Sequence, residues 1–190
     1  QEEQWAKELN GIGIATFVLD SYTGRGITLQ TATSITTFAM IVDAYRALEL
    51  LSTHPRIDPT RIALMGFSRG GFVSLYAGLT RFRRMHGSAG VEFAAYLPFY
   101  PWCDWTYIDD DQVSDRPIRI FQGSADDWTP IGPCREYAER LRRAGKDVEL
   151  IEYLGAPHAF DSPEPVRFYR DAPNMSRCFL IERPAGQIVN

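Results

Sequence analysis

Ser68 stands in the run Gly66-Phe67-Ser68-Arg69-Gly70, between a short apolar stretch at 62–65 and a segment at 72–79 that reads as a helix. A hydroxyl at a strand-to-helix turn is lifted clear of the backbone, and the amide of the next residue, Arg69, points to where an oxyanion would form. Gly66 and Gly70 are expected to give the clearance that such a tight turn requires. A serine hydroxyl is a weak nucleophile at neutral pH, so it needs a histidine to take its proton and a carboxylate to orient that histidine. Both occur further on, each after its own apolar run: an aspartate at 126 or 127 in Gly123-Ser124-Ala125-Asp126-Asp127-Trp128-Thr129-Pro130, and His158 in Gly155-Ala156-Pro157-His158-Ala159-Phe160-Asp161. The chemistry these residue types support is acyl transfer.

For that chemistry the three loops must meet at one edge of a sheet. The chain supplies alternating strands and helices: a helix over 2–9 with Trp5 and Leu9 four apart, a buried strand at 14–19, and a helix capped by Ser34 and running to 53. Next come the elbow strand and its helix, then strands at 91–97 and 117–121, a helix over 133–144, and a strand at 148–153. Beyond Asp161 the sequence is Pro-rich and reads as a short helix and a tail. Such alternation predicts an α/β fold, a doubly wound and mostly parallel sheet in one domain over 1–190. His54, before Pro55, reads as a helix end, and His86, among arginines, as surface. Arg25 lies in a loop leaving the carboxyl end of a strand, where open sheets place ligands. It is therefore a substrate-binding candidate, with Phe67 beside the nucleophile and Trp128 beside the acid, although an exposed loop arginine or a structural ion pair is the plainer reading of Arg25. The aromatic run 99–105 either walls a pocket or packs a loop.

Composition narrows the class. A hydrophobic share of 45% and a charged share of 23% are ordinary for a globular domain, and a net charge of −4 gives no support for nucleic-acid binding. No apolar run is long enough to span a membrane. The three cysteines, Cys103, Cys134 and Cys178, lack zinc-ligand spacing, and no metal or organic cofactor is implied. Cys103 and Cys134 follow neighbouring strands, so a disulfide between them is one expectation and three free thiols the other. The first would fit a secreted or periplasmic protein, the second a cytoplasmic one.

The segments around Ser68, Asp126 and His158 together resemble the dienelactone hydrolase family of α/β-hydrolases, whose triad follows the same order of nucleophile, acid and histidine. The resemblance covers roughly 5–161 and selects Asp126 over Asp127 as the acid. It implies a small-molecule ester or lactone as substrate. Members that open dienelactone itself carry cysteine at the elbow, so Ser68 shifts the expectation towards a broader ester or lactone hydrolase. A serine peptidase, an acyltransferase, or an inactive binding protein on the same scaffold are the alternatives. The family fold begins with strands ahead of the helix at Trp5, and the loop entering that helix carries a second oxyanion donor. The chain resembles that fold without those strands, so by itself it is expected to self-associate and to be nearly inactive.

Overall fold

In a computed structural model, which describes residues 1–167 and 178–189, the core is a four-stranded parallel sheet. Its strands are β1 (Ala63–Phe67), β2 (Ala95–Phe99), β4 (Ile118–Gly123) and β5 (Val148–Tyr153), in the order β1-β2-β4-β5. Register pairs Phe67 with Phe99, Phe99 with Phe121, and Phe121 with Ile151, so the strands end together at one carboxyl edge. The residues that follow those ends include Ser68, Tyr100 and, across short loops, Asp126 and His158.

Alternation along the strands divides the sheet's two faces. Tyr96, Ile118, Ile120 and Val148 join the main core on one face, with α2 (Thr37–Ser52), α3 (Arg69–Tyr76) and α5 (Ile131–Arg143). Burial explains why these segments are helices despite modest propensity: α2 buries Ile41, Ala44, Tyr45 and Leu48 at three- and four-residue steps. The short α3 buries every side from Gly71 to Tyr76. On the opposite face Phe67, Phe99 and Phe121 form a row against which α1 (Glu2–Gly11) lays Trp5, 5.4 Å from the Phe99 ring. This two-faced covering of a parallel sheet is the expected α/β architecture.

Several local expectations are corrected. Residues 14–19 form no strand; they carry no regular secondary structure and are solvent-exposed, with Phe17 and Val18 each 52% exposed. The run is apolar enough for a strand, but among the described residues it has no neighbour, since β1 pairs only with β2. Without a pairing partner a strand's backbone groups turn to water. The cap of α2 is Thr36, whose hydroxyl accepts from the Ala39 amide at 3.1 Å, while Ser34 closes a preceding 3-10 turn. His86, in α4 (Thr80–His86), sets its half-buried ring edge-on to Phe38. The tail contributes β6 (Leu180–Arg183) and β7 (Gln187–Val189), which with β3 (Trp105–Thr106) make a small separate sheet. No helix forms over 162–167, and the rest of the expected one lies outside the described residues.

Cys103 and Cys134 are bridged, with Cα atoms 4.9 Å apart, tying the loop after β2 to the first turn of α5. Cys178 is not in a disulfide. A bridge closing a 31-residue separation removes roughly 2–4 kcal/mol of freedom from the unfolded chain. Replacing both cysteines by serine is therefore expected to lower the urea midpoint by that amount of stability, and reductant should have the same effect on the parent protein. An unchanged midpoint in both tests would show that the bridge adds nothing.

Candidate active site

The elbow is built by crowding. Ser68 has φ 50° and ψ −109°, a strained conformation for a residue with a side chain. It is held by its neighbours: its amide donates to the Phe99 carbonyl at 3.0 Å and its carbonyl accepts from the Phe72 amide at 2.9 Å. A Cβ at Gly66 would collide with the Gly70 carbonyl, and one at Gly71 with the Phe99 carbonyl, whereas at Gly70 it would meet open space. The clearance glycines are therefore Gly66 and Gly71, and Gly70 enters only through its backbone. Gly66→Ala is expected to cost about 1–3 kcal/mol, seen as a melting temperature lower by roughly 2–4 °C per kcal/mol. Gly70→Ala should melt close to the parent; equal losses from both would refute the assignment.

The acid loop is held by a dense set of hydrogen bonds. Asp126 is buried, and its two oxygens are separately committed. Oδ1 accepts from the backbone amides of Trp128 at 2.9 Å and Thr129 at 2.8 Å. Oδ2 accepts from Gln122 Nε2 at 3.0 Å, Thr129 Oγ1 at 2.9 Å and His158 Nδ1 at 2.8 Å. Since an ionised carboxylate can only accept, His158 carries its proton on Nδ1 and presents Nε2 as the acceptor. That Nε2 lies 2.9 Å from Ser68 Oγ. Asp127, by contrast, is exposed.

Sequence singled out Ser68, Asp126 and His158, and the structure brings the three together in one hydrogen-bonded chain. Arg69 opens α3, so its amide has no acceptor four residues back and is free to donate outward. Its guanidinium reaches away, donating to the Ala32 carbonyl at 2.6 Å and to the Ile35 carbonyl. Trp128 stands edge-on to His158 with ring centres 5.0 Å apart. Phe67 packs among Trp5, Phe99 and Tyr100 on the sheet face. Arg25 takes the ion-pair alternative: both its terminal nitrogens pair with the Asp43 carboxylate at 2.7 Å, and one also donates to the Ser21 carbonyl. A planar fork satisfied by a carboxylate is held there, so Arg25 braces its loop against α2.

Other residues that shape the site are not among the individual candidates the sequence offers. Tyr100, with φ 36°, places its ring 4.7 Å from that of His158, and its hydroxyl donates to Asp161 at 2.8 Å. Burial, with the hydrogen bond to Asp161, pushes the Tyr100 phenol above its ordinary range, so it stays a donor. Asp161 also accepts from Trp5 Nε1 at 2.6 Å, which ties the histidine loop to α1. Gln122 is the other omission; a polar residue on the strand face of buried Ile118 and Ile120 is the signal that would have found it. Among the described residues no cluster of His, Cys, Asp and Glu is arranged to hold a metal.

The chain is similar to several known proteins. The chain is 36% identical over 110 residues to an acyl-protein thioesterase 1 of Gibberella zeae, covering 54% of this chain and 43% of the relative. It is 28% identical over 124 residues to a probable 2-oxo-3-(5-oxofuran-2-ylidene)propanoate lactonase of Bradyrhizobium sp, covering 64% and 48%. The chain thus spans less than half the length of these relatives. A propionate-bound thermophilic esterase of the planctomycete Thermogutta terrifontis superposes with a TM-score of 0.66 at 20% identity, covering 84% of this chain and 68% of that one, a likeness of fold. The dienelactone hydrolase family model matches residues 5–176. With an α/β-hydrolase sheet and a match across most of its length, the chain belongs to the dienelactone hydrolase family.

Proposed function

We propose that this protein is a serine hydrolase that cleaves a carboxylic ester or lactone through an acyl-enzyme. The observation that carries the reading is the unbroken chain from Ser68 Oγ to His158 Nε2 at 2.9 Å and from His158 Nδ1 to Asp126 Oδ2 at 2.8 Å. His158 takes the hydroxyl proton as Ser68 attacks the carbonyl carbon, and the buried Asp126 carboxylate stabilises the imidazolium that results. The Arg69 amide donates to the oxygen that becomes negative. As the tetrahedral intermediate collapses, the C–O bond to the leaving oxygen breaks and that oxygen takes the proton from the imidazolium of His158, departing as the alcohol. Water then attacks the acyl-Ser68 ester with His158 again as base, releasing the acid. Trp128 and Tyr100, flanking the imidazole, screen it from bulk water.

Names among the relatives support this class: a thioesterase and a lactonase both act at an acyl carbonyl bearing a leaving group better than an amine. A panel of p-nitrophenyl esters and the matching anilides, assayed on the full-length protein, tests the reading. Ester turnover with a pre-steady-state burst and little anilide turnover is expected. Anilide cleavage at a comparable rate would make it a peptidase, and absence of both would refute the reading.

A further inference from the structure

Gln122 is fully buried, at 0% exposure, on the face of β4 that also buries Ile118 and Ile120. Its nitrogen donates to the Thr129 carbonyl at 2.6 Å and to Asp126 Oδ2 at 3.0 Å. Both partners only accept, so chemistry fixes which end of the amide is nitrogen. The amide oxygen is thereby turned towards Cys134 Sγ, 4.0 Å away. That sulfur is in the disulfide with Cys103 and has no proton to give. Among the described residues the buried oxygen has no true donor.

An unpaired amide oxygen in an apolar layer is costly, and an apolar side chain of the same length would avoid the cost. That cost offsets much of what its two donated hydrogen bonds contribute to the fold, so stability alone is a weak reason for a glutamine here. What it supplies is a pair of donors, one on the carbonyl of the acid loop and one on the carboxylate oxygen that faces His158. Resting on the triad reading above, we infer that Gln122 is a positioning residue for the acid: it holds Asp126 Oδ2 in line with His158 Nδ1. Thr129 hydroxyl shares the task at 2.9 Å, but it rides on the same loop as Asp126, whereas Gln122 is anchored in the sheet. Among the described residues Gln122 is the side chain that ties the Asp126 carboxylate to a strand.

The titratable groups facing this amide are few. Asp126 meets it directly, His158 through that carboxylate, and α5 presents Cys134, which does not titrate in the bridge. Gln122→Met keeps the volume and removes both donors. In the full-length protein its kcat on a p-nitrophenyl ester should fall roughly ten- to a hundredfold, the range of a lost hydrogen bond to a charged group. KM should stay within about twofold; the melting temperature should fall by only several degrees, since the Thr129 carbonyl loses its donor, and the variant should remain folded at the assay temperature. Gln122→Glu keeps the shape but sets a second carboxyl against Asp126, and two such groups titrate as a coupled pair. Its pH profile of kcat/KM should gain an ionisation absent from the parent and from the methionine variant.

Parent turnover in Gln122→Met, or a loss of activity that tracks a loss of folded protein, would overturn the inference. So would a parent-like pH profile in Gln122→Glu. Reaction with a fluorophosphonate separates the two levels of the account. A parent protein that is not labelled at Ser68 brings down the acyl-enzyme reading and this inference with it. A methionine variant labelled as fast as the parent brings down the inference alone.

Discussion

Asp126→Asn is expected to lower ester turnover by on the order of 10⁴-fold, while Asp127→Asn leaves it within a few-fold. The size of the first effect follows from how Asp126 is held. The amides of Trp128 and Thr129 both donate to Oδ1, so an asparagine must keep its carbonyl oxygen there. Its nitrogen is then forced into the Oδ2 position, facing His158 Nδ1 as a donor. The imidazole must accept at Nδ1 and move its proton to Nε2, where it can no longer take one from Ser68. The same nitrogen also confronts the Gln122 and Thr129 donors. Asp127 lies outside this network and is exposed, so its charge is screened. Steady-state kinetics on the two variants decide the matter: equal losses, or a larger loss at 127, would displace the acid by one position.

Ser68→Ala should abolish turnover, with a loss on the order of 10⁴ or more, and should leave the fold intact. The hydroxyl's hydrogen bond runs to His158 Nε2. Removing it leaves the histidine held by Asp126 and flanked by Tyr100 and Trp128. The strained φ of 50° is imposed by the Phe99 carbonyl and the approach of Gly66 to Gly70, and alanine inherits it. Stability should change by less than about 1 kcal/mol. Thermal melting beside the ester assay checks both halves. Substantial residual hydrolysis in a folded alanine variant would place the nucleophile elsewhere.

How much of this was legible in the sequence depends on the range of the forces involved. The strand at 148–153 is legible to the residue, because a short segment between the turn at Gly145 and the Gly155-Ala156-Pro157 loop is fixed by local chemistry. The order of Ser68, Asp126 and His158 was legible for the same reason: each follows its own strand. The segment 14–19 was misread because apolar content reports that a strand could form, not that a neighbour exists to pair with it. Trp105 and Thr106 pair with Leu180 and Ile181 across a separation no periodicity can span, so the small sheet was missed. Ser34 and Thr36 are equally good caps by type, and only the course of the backbone chose between them. Arg25 was visible as a charge near a strand end, but its partner Asp43 lies a helix away. Gln122 was overlooked because the meaning of a buried amide lies in what it touches.

The most direct test of the central claim is covalent. The full-length protein, treated with a fluorophosphonate and digested, is expected to yield one modified peptide with the phosphonyl group on Ser68. Ser68→Ala should give none, and His158→Ala should be labelled far more slowly, since the hydroxyl would have lost its base. A folded protein that resists the reagent, or one labelled at another residue, would contradict the account.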